Sequence, residues 1–544
     1  MKTNTSRLLK RAERFQVLLI GEGLIVGGIA GFVVLLYRMA LEYAGVWMHQ
    51  ILDAAKGRPL WMAGWFAVLA LLAWIVGKLV AFEPMISGSG IPQLEGEMVG
   101  KLSQKWYRVI PAKFLGGFLS IFGGLALGRE GPSIQLGAMV GQAVSKGLYR
   151  GKTEEKFLLT CGASAGLAAA FHAPLAGVMF SLEEVHKNFS ASVLVSAMTS
   201  ALTADFLCST VTGTDTVFQF EILQVLPPEH YALIVGLGVI LGVFGAGYNW
   251  FTLKVQSWYR SIGPAGQTRK LLIPFLCAGV LGFTAPELLG TGHSLIEELT
   301  NTQMTMGAIL FLLVGRFLFS AVSFGSGAPG GIFFPLLVIG GLTGGAYAQA
   351  VIQLLGMDPV YMNNFVLLAM AGYFAAIVRA PLTGIILIFE MTGSLSQMLS
   401  LSIVSVTAYI TATLLHSRPI YESLLERLLA RGEGQEAYVH GQKVLLEYVV
   451  EKGSALDGAR IADVEWPKGC LIVAVQRGAK ELIPRGMTTL QMGDVLVAMT
   501  DEELQAGMNE HLEGLCSQIS MYTQASGVLY NEDRGQEQPE KSRR

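Results

Sequence analysis

Charged residues are scarce in this sequence. Of its 544 residues, Asp, Glu, Lys and Arg make up only 15%, whereas hydrophobic residues make up 52%. Soluble domains contain about 25% charged residues, so a single soluble globule is excluded. Apolar runs of about 20 residues, the length of helix that crosses a bilayer, recur from about residue 15 to about residue 416. The composition therefore predicts a multi-pass protein of the cell membrane, which is the inner membrane if the source is bacterial.

Cysteine is also scarce, and the signatures of metal sites are missing. The five cysteines lie far apart with no CxxC spacing, so neither a disulfide framework nor a metal site is predicted. The HExxH pattern of zinc proteases is absent. The formal net charge is only −2 and indicates no nucleic-acid partner. We therefore expect no enzyme activity, no metal and no cofactor.

The two ends of the chain differ in amino-acid composition from its apolar part. Residues 1–14 form a basic segment, and their Lys and Arg side chains predict that the N-terminus stays in the cytoplasm. Between 433 and 512, β-rich runs alternate with Gly and Pro, which predicts a small α+β cytoplasmic domain. Residues 513–544 are polar with little to bury, and we expect them to be disordered.

An internal repeat organises the apolar part. Three blocks recur in the same order, at offsets of 203, 202 and 207 residues. The aligned pairs are "GREGPSIQLGAMVG" (128–141) with "GIFFPLLVIGGLTG" (331–344), "GSGIPQLEG" (88–96) with "GTGHSLIEE" (290–298), and "HAPLAGVMFSLEE" (172–184) with "RAPLTGIILIFEM" (379–391). Two halves, about 15–211 and 231–428, are interrupted by Gly and Pro. This pattern is typical of transporters whose site lies between repeats, near the middle of the membrane.

The interruptions predict what the site binds. "GSGIP", "GREGP" and "GGIFFP" each place a glycine turn before a proline. A helix that begins inside the membrane has free N–H groups at its N-terminus, and lipid cannot satisfy them. The helix dipole adds partial positive charge there, so an anion is the natural partner. Three such termini that meet would form a weak, reversible site for a small monovalent anion.

The same motifs carry a resemblance to a known family. "GSGIP" (88–92), "GREGP" (128–132), "SGAPGGIFFP" (326–335) and "RPIYESLL" (418–425) resemble the filter motifs and the late tyrosine of the CLC chloride channels and proton-coupled chloride transporters. The likeness covers about residues 15–428. It implies an all-α membrane fold of two inverted repeats with broken helices, and a homodimer with one pore in each subunit.

The resemblance also implies roles for individual residues. Ser89 and Tyr421 match the family's serine and tyrosine, whose hydroxyls donate to the central anion, and Ile332 and Phe333 match positions whose backbone N–H groups bind it. Glu130 matches the gating glutamate, which competes with chloride and transfers protons on the outer side. The remaining filter positions are Gly88, Gly90, Ile91, Pro92, Gly128, Arg129, Gly131, Pro132, Gly331, Phe334 and Pro335.

Four further charged residues have alternative interpretations. Glu184 matches the inner proton glutamate of the transporters, which the channels generally lack; otherwise it is a solvated helix end. Its neighbour Glu183 is expected to support a helix end or a subunit interface. Lys113 and Arg316 occupy equivalent repeat positions, where they supply positive potential or pair with carboxylates. Arg129 is expected to shape the field at the outer entrance, because its pKa is too high for proton transfer.

The C-terminal domain resembles a second family. Residues 433–512 look like the C-terminal regulatory domain of RCK or TrkA type, with "IVAVQR" as a strand and "GDVLVAM" as its ending. Such domains dimerise and can bind a small ligand. A pure assembly module without a ligand is equally compatible with the sequence.

The predicted function is exchange of chloride for protons. A passive chloride channel is the main alternative, and Glu184 is the feature that separates the two. A fluoride exchanger is disfavoured by "GREGP" and by Ser89, and a membrane enzyme is the least favoured reading. Nitrate-preferring relatives tend to carry proline at the position of Ser89, so this serine favours chloride over nitrate.

Overall fold

The chain folds into two compact units, Met1–Arg431 and Gly432–Arg544. The computed structural model describes residues 2–187, 189–214, 216–218, 222, 224–263, 266–301, 304–393, 395–430, 443–478, 480–501 and 505–517. The first unit is helical and carries the apolar part of the sequence. The described part of the second unit contains a sheet and one α-helix.

The first unit contains seventeen α-helices within its described residues. They are α1 (Lys2–Ala55), α2 (Pro59–Phe82), α3 (Ile91–Met98), α4 (Trp106–Phe122), α5 (Glu130–Gly147), α6 (Lys152–Phe171), α7 (Pro174–Phe180), α8 (Ala191–Thr212), α9 (Tyr231–Ser261), α10 (Gln267–Thr284), α11 (His293–Asn301), α12 (Met306–Gly325), α13 (Phe333–Leu355), α14 (Met362–Val378), α15 (Pro381–Thr392), α16 (Met398–Leu414) and α17 (Ile420–Leu429). By length and composition, seven helical stretches in this described part can cross a membrane.

The helix order reproduces the repeat. Helices α1 to α8 correspond in order to α9 to α16, and α17 follows. An antiparallel bridge joins the halves at Gly128 and Gly331, where each N–H donates to the other residue's carbonyl at 2.7 and 2.8 Å. Helices α5 and α13 begin just after these glycines. The two chain segments run in opposite directions at the bridge, as expected for the two inverted repeats that the family resemblance implies.

Two apolar stretches that look continuous in the sequence are each broken into two helices. The stretch near 157–182 breaks after α6 at His172, and the stretch near 364–391 breaks after α14 at Arg379. Both residues adopt left-handed backbone, with φ of 51° and 74°. An Ala-Pro pair follows each one, and proline disfavours helical geometry in the residue before it. The sequence alignment of His172 with Arg379 thus marks the same break in both halves.

The second unit is a small α+β domain. Its strands are β1 (Lys443–Val449), β2 (Leu471–Arg477), β3 (Lys480–Leu482) and β4 (Asp494–Asp501), and its helix is α18 (Gln505–Cys516). The sheet is antiparallel with the order β1-β4-β2-β3. Its core includes Tyr448, Val475, Leu496 and Leu512, all buried. The α+β fold of this domain agrees with the sequence prediction.

Helices cross both of the terminal boundaries that were drawn from the sequence. The basic segment 1–14 is not separate, because α1 begins at Lys2 and runs on into the membrane part. Helix α18 extends to Cys516, beyond the expected domain end at 512, because Met508, Leu512 and Cys516 pack into the core at helical spacing. The rest of the expected disordered tail, 518–544, lies outside the described residues.

A half-buried ion pair between Arg477 and Asp494 joins β2 to β4 in the second unit. Arg477 donates from Nε and Nη2 to the two oxygens of Asp494, both at 2.7 Å. Asp494 also accepts from the backbone N–H of Gln491 at 2.9 Å. The hydrogen bonds from Arg477 hold the pKa of Asp494 below its usual range. This pairing therefore contributes stability while the carboxylate is ionised.

We predict that Asp494→Asn lowers the free energy of unfolding of the second unit by about 1–3 kcal/mol. The reason is that the carboxylate, which accepts two hydrogen bonds from Arg477, is lost. The lower end is expected, since the Arg477 side chain is 36% exposed. In the wild type this contribution is fully present above about pH 4, the pKa of an aspartate in the unfolded chain. It is lost as pH falls through the lower pKa that Asp494 has in the folded protein. Hydrogen exchange of β4 peptides in the full-length protein measures both effects.

Asp463→Asn is the matched control for that experiment. Asp463 lies in the same unit, but its side chain is 66% exposed and only 3.9 Å from Arg460. Exposed pairs of this kind contribute little. Equal hydrogen exchange in Asp494→Asn and Asp463→Asn would show that the Arg477–Asp494 pair does not stabilise the sheet.

Candidate functional site

Three glycine-rich segments meet at the centre of the membrane unit. The bridge between Gly128 and Gly331 joins two of them, and Gly330 donates its N–H to the Gly88 carbonyl at 3.0 Å to join the third. A Cβ atom on Gly131 would lie 2.8 Å from the Cβ of Ser89, so only glycine fits there. The starts of α3, α5 and α13 are thereby held together, as the motifs predicted.

The convergent helix starts supply free backbone donors. Leu336 N–H bonds the Ile332 carbonyl at 2.9 Å and closes the first turn of α13. Helix geometry leaves the N–H groups of Ile332, Phe333 and Phe334 without an acceptor in the same helix, and Pro335 has none to offer. These donors, together with the helix dipole, form an anion-binding environment.

Ser89 lies at the start of α3, directly beside these donors. The side chain is buried, and Oγ accepts from the Ile91 N–H at 3.3 Å. Because that contact uses an oxygen lone pair, the hydroxyl hydrogen stays available for a donor role. The preceding Gly88 and following Gly90 have φ of 67° and 94°, which the tight turn around Ser89 requires.

Tyr421 reaches the same region from α17. Its side chain is fully buried, and its hydroxyl has no hydrogen-bond partner among the described residues. The ring lies 6.5 Å from the ring of Phe180, which in turn lies 5.7 Å from the ring of Phe333 at the start of α13. A buried hydroxyl without a protein partner is costly unless it binds something else.

Glu130 is the first residue of α5 and is completely buried. Its carboxylate faces the backbone N–H groups of Arg129 and Phe334. Neither oxygen makes a hydrogen bond of full geometry with a described residue, and Arg129 Nε is 4.0 Å away. The carboxylate therefore lies at the starts of both α5 and α13, in the environment that would otherwise attract a free anion.

A cavity of about 780 Å³ leads to Glu130. Arg129 lies on its wall and donates from Nη1 to Glu42 at 3.1 Å. The expected role of Arg129 at the outer entrance stays a prediction. The carboxylate that is hydrogen-bonded to Arg129 is Glu42 on α1, which the sequence did not single out.

Glu184 lies in wider helical turns, Ser181–His186, that continue α7. Its side chain is buried, so the alternative of a solvated helix end is wrong. The Glu184 carboxyl group faces that of Glu95 within hydrogen-bonding reach. Two carboxylates only accept, so this contact forms a hydrogen bond when one of them holds a proton.

Glu95 is a site residue to which the sequence assigned no role. It lies in α3, seven residues from Gly88 in "GSGIPQLEG", and is buried. The Tyr421 hydroxyl lies within electrostatic range of Glu95, Glu184 and Glu130. A glutamate in an otherwise uncharged repeat block was the available signal, because intramembrane carboxylates are usually functional.

Glu183 and Glu390, aligned in the repeat, have reciprocal structural roles. Glu183 Oε2 accepts from the N–H and the hydroxyl of Thr383 at the start of α15, at 2.9 and 2.8 Å. Glu390 accepts from the N–H groups of Leu175 and Ala176 at the start of α7, at 3.0 and 2.7 Å. Each glutamate caps the broken helix of the other half, which agrees with the helix-end interpretation of Glu183.

Lys113 and Arg316 bind backbone carbonyls, and no carboxylate pairs with either of them in the described part of the chain. Lys113 Nζ donates to the carbonyls of Ile86 and Gly88, at 2.9 and 2.7 Å. Arg316 donates to the carbonyls of Glu287, Leu289 and Gly290 in the equivalent turn of the second half. Both cations are fully buried. The alternative of carboxylate pairing is therefore wrong, and each cation holds the turn before α3 or α11.

One stretch, "GASAG" (162–166), has the GxSxG spacing of hydrolase nucleophiles, which weighs against the expectation of no enzyme activity. Ser164 lies inside α6, however, and its Oγ donates to the Thr160 carbonyl at 2.9 Å. A nucleophile of that class lies on a sharp strand-to-helix turn. Gly162 and Gly166 instead let α6 pack closely on α5, so the spacing reflects helix packing.

Comparison with known proteins gives the same picture. A family model described as "Voltage gated chloride channel" matches residues 68–413, and one described as "TrkA-C domain" matches residues 445–506. The H(+)/Cl(-) exchange transporter ClcA of Vibrio cholerae is 38% identical over 442 residues, covering 79% of this chain and 93% of that protein. The protein of the same name from Vibrio vulnificus is 38% identical over 417 residues, covering 74% and 88%.

A solved structure extends the likeness to three dimensions. The structure of a slow cyanobacterial Cl−/H+ antiporter matches with a TM-score of 0.73 at 31% identity, over 76% of this chain and 99% of that chain. The helix order, the inverted repeat, the convergent helix starts and these matches agree. The chain belongs to the voltage gated chloride channel family and carries a TrkA-C domain near its C-terminal end.

Proposed function

We propose that this protein is a membrane transporter that exchanges chloride for protons. The observation that carries the proposal is the position of Glu130, whose carboxylate lies among free helix-start donors that suit an anion. A carboxylate and a chloride ion cannot occupy one small site together. Protonation of Glu130 removes its charge and releases it, so anion entry and proton uptake occur through the same side chain. Relatives named as chloride/proton exchangers support this assignment.

Chloride is proposed to bind at the convergent helix starts as the transported substrate, with no cofactor. Ser89 and Tyr421 donate hydroxyl hydrogens, and Ile332 and Phe333 donate backbone N–H groups. No lysine or arginine side chain is required to touch the ion. Because all these donors are neutral, the site binds chloride weakly enough to release it.

Protons are proposed to follow a separate route on the far side of Glu130. Glu184 is the inner proton residue, and Glu95 shares its proton through the contact between the two carboxyl groups. The Tyr421 hydroxyl, within range of all three glutamates, lies where the two routes approach each other. Such a paired carboxyl group can hold a single proton without placing two full charges together.

The assembly and orientation are proposed from the family likeness. The protein forms a homodimer with one pore in each subunit, with both termini in the cytoplasm and Glu130 on the outer side. The TrkA-C domain is proposed to bind a small regulatory ligand. Mass measurement of the purified protein in detergent tests the dimer, and protease access in sealed vesicles tests the orientation.

Purified protein in liposomes tests the function. Under an imposed chloride gradient with no proton gradient, exchange predicts that protons move uphill while chloride moves downhill. Chloride flux without proton movement would identify a passive channel instead. Absence of any chloride flux would overturn the anion assignment as well.

Anion selectivity provides a prediction about Ser89. Ser89→Pro removes one hydroxyl donor and favours nitrate, which sheds its hydration more easily than chloride. We expect the nitrate-to-chloride preference to rise several-fold, about 1 kcal/mol for one lost hydrogen bond. Competition between the two anions in the liposome flux assay measures it. An unchanged preference would show that Ser89 does not contact the ion.

A further inference from the structure

A chain of polar side chains lines the cavity that leads to Glu130, and the proposed exchange mechanism does not use most of it. Arg38, Glu42 and His172 lie on the cavity wall together with Arg129 and Glu130. They come from α1, from the break between α6 and α7, and from the start of α5. Their side chains form one continuous series of contacts that ends at Glu130.

The contacts in this series divide one carboxylate between two arginines. Glu42 Oε1 accepts from Arg38 Nε and from Arg129 Nη1, both at 3.1 Å. Arg38 Nη1 also donates to His172 Nε2 at 2.6 Å. Arg129 Nε is 4.0 Å from the Glu130 carboxylate. Arg129 is therefore held mainly by Glu42, and Glu130 is its second and more distant partner.

Geometry determines the protonation state of His172 in this arrangement. A guanidinium can only donate, so His172 Nε2 must accept from Arg38. The ring proton therefore lies on Nδ1, which donates to Asp205 Oδ1 at 3.0 Å. In an imidazolium, an N–H would face the Arg38 guanidinium, and this contact would have to break. Thr212 Oγ1, 2.9 Å from Nε2, is the acceptor that remains.

We propose that His172 is a positioning residue that transmits the pH of this cavity to Glu130 through Arg38, Glu42 and Arg129. Protonation of His172 releases Arg38, which then turns wholly to Glu42. Arg129 loses part of its hold on Glu42 and moves towards Glu130, whose charged form it stabilises. His172 thus opposes the release of Glu130 in acid. The inference rests on the proposed function, because it concerns the exchange step at Glu130.

Other titratable groups face this region from the surrounding elements. They are Tyr37 on α1, Asp205 and Cys208 on α8, His293 on α11 and Glu390 on α15. Among described residues, Asp205 is the carboxylate bonded to the imidazole, and Ser209 Oγ lies 3.5 Å from its Nδ1. Glu390 is occupied with the start of α7. Asp205 is therefore the group that most directly favours the imidazolium.

The test measures chloride flux in liposomes as a function of pH. His172→Gln keeps an acceptor for Arg38 at every pH and cannot be protonated. Chloride flux is expected to rise as pH falls and Glu130 becomes protonated, and the midpoint is the pH of half-maximal flux. We expect this midpoint to shift towards neutral pH by about 0.5 pH unit in His172→Gln, as for the redistribution of one partly exposed ion pair. His49→Gln is the control, since His49 is an exposed histidine on the same cavity wall. It should leave the midpoint unchanged.

Two further variants keep the test decisive if His172→Gln folds poorly. Asp205→Asn removes the carboxylate that favours the imidazolium and should shift the midpoint in the same direction. Glu42→Gln breaks the series, so adding Asp205→Asn to it should produce no further shift. A purely structural role of His172 would reduce active protein equally at every pH without moving the midpoint.

The outcomes separate the two levels of the argument. An unmoved midpoint in both His172→Gln and Asp205→Asn, or full additivity of Glu42→Gln with Asp205→Asn, would overturn the role of His172. Wild-type protein without proton-coupled chloride flux would instead overturn the proposed function. The first failure leaves exchange intact, so it is distinguishable from the second.

Discussion

Replacing Glu130 by glutamine is expected to abolish proton coupling while chloride still passes. The amide is neutral at every pH and resembles the protonated carboxyl group, so it no longer competes with chloride among the helix-start donors. Wild-type flux should rise as pH falls, whereas flux through the variant should be flat with pH. Loss of a positioned proton-transfer group typically costs 10²–10⁴-fold, so proton movement should fall to background. Paired chloride and pH recording on liposomes measures both.

Glu83→Gln is the matched control for the Glu130 variant. Glu83 is also buried, and its carboxylate accepts from the Met85 N–H at 3.3 Å, a bond that an amide oxygen can keep. It lies just before the turn that leads to Ser89 but outside the convergent helix starts. Coupling should survive in this control. Uphill proton movement in Glu130→Gln would remove Glu130 from the gate.

Replacing Glu184 by alanine is expected to stop proton transport while chloride flux continues. The convergent helix starts attract anions and repel a proton, so protons need a second carboxyl group away from that path. Glu184 is buried beside Glu95, and the proposed shared proton requires both. We expect proton flux to fall at least about tenfold, because a relay group is lost. The same paired recording under a chloride gradient is the measurement.

Glu183, the neighbour of Glu184, provides the control for the Glu184 variant. Glu183→Ala would remove the acceptor for the start of α15, so it risks destabilising the broken helix. Glu183→Gln keeps an amide oxygen for Thr383 and should leave coupling intact. Continued proton pumping in Glu184→Ala would show that another group carries the inner proton. Glu95→Gln would then be the next variant, since Glu95 is the neighbouring carboxyl group.

Much of the fold followed from local sequence patterns. The low charge and the long apolar runs predicted a membrane protein, and the repeated glycine and proline blocks predicted two halves. The repeat could be found because Gly128 and Gly331 occupy the same position in each half, in the bridge just before a helix start. The helix breaks at His172 and Arg379 were not predicted from the sequence. Each Ala-Pro pair disfavours a continuous helix, but it lies within a long apolar run that resembles one spanning helix.

The sequence by itself determined that the chain lies in a membrane, that it contains a repeat, and that its helix starts suit an anion. These features follow from composition and Gly-Pro spacing, which act locally on the backbone. Only the tertiary structure decided which side chains face one another. It placed Glu95 beside Glu184. It directed the hydrogen bonds of Lys113 and Arg316 to backbone carbonyls. It also connected His172 to Arg129 through Arg38 and Glu42. These partners lie on different helices, so their pairing depends on long-range packing that no local pattern encodes.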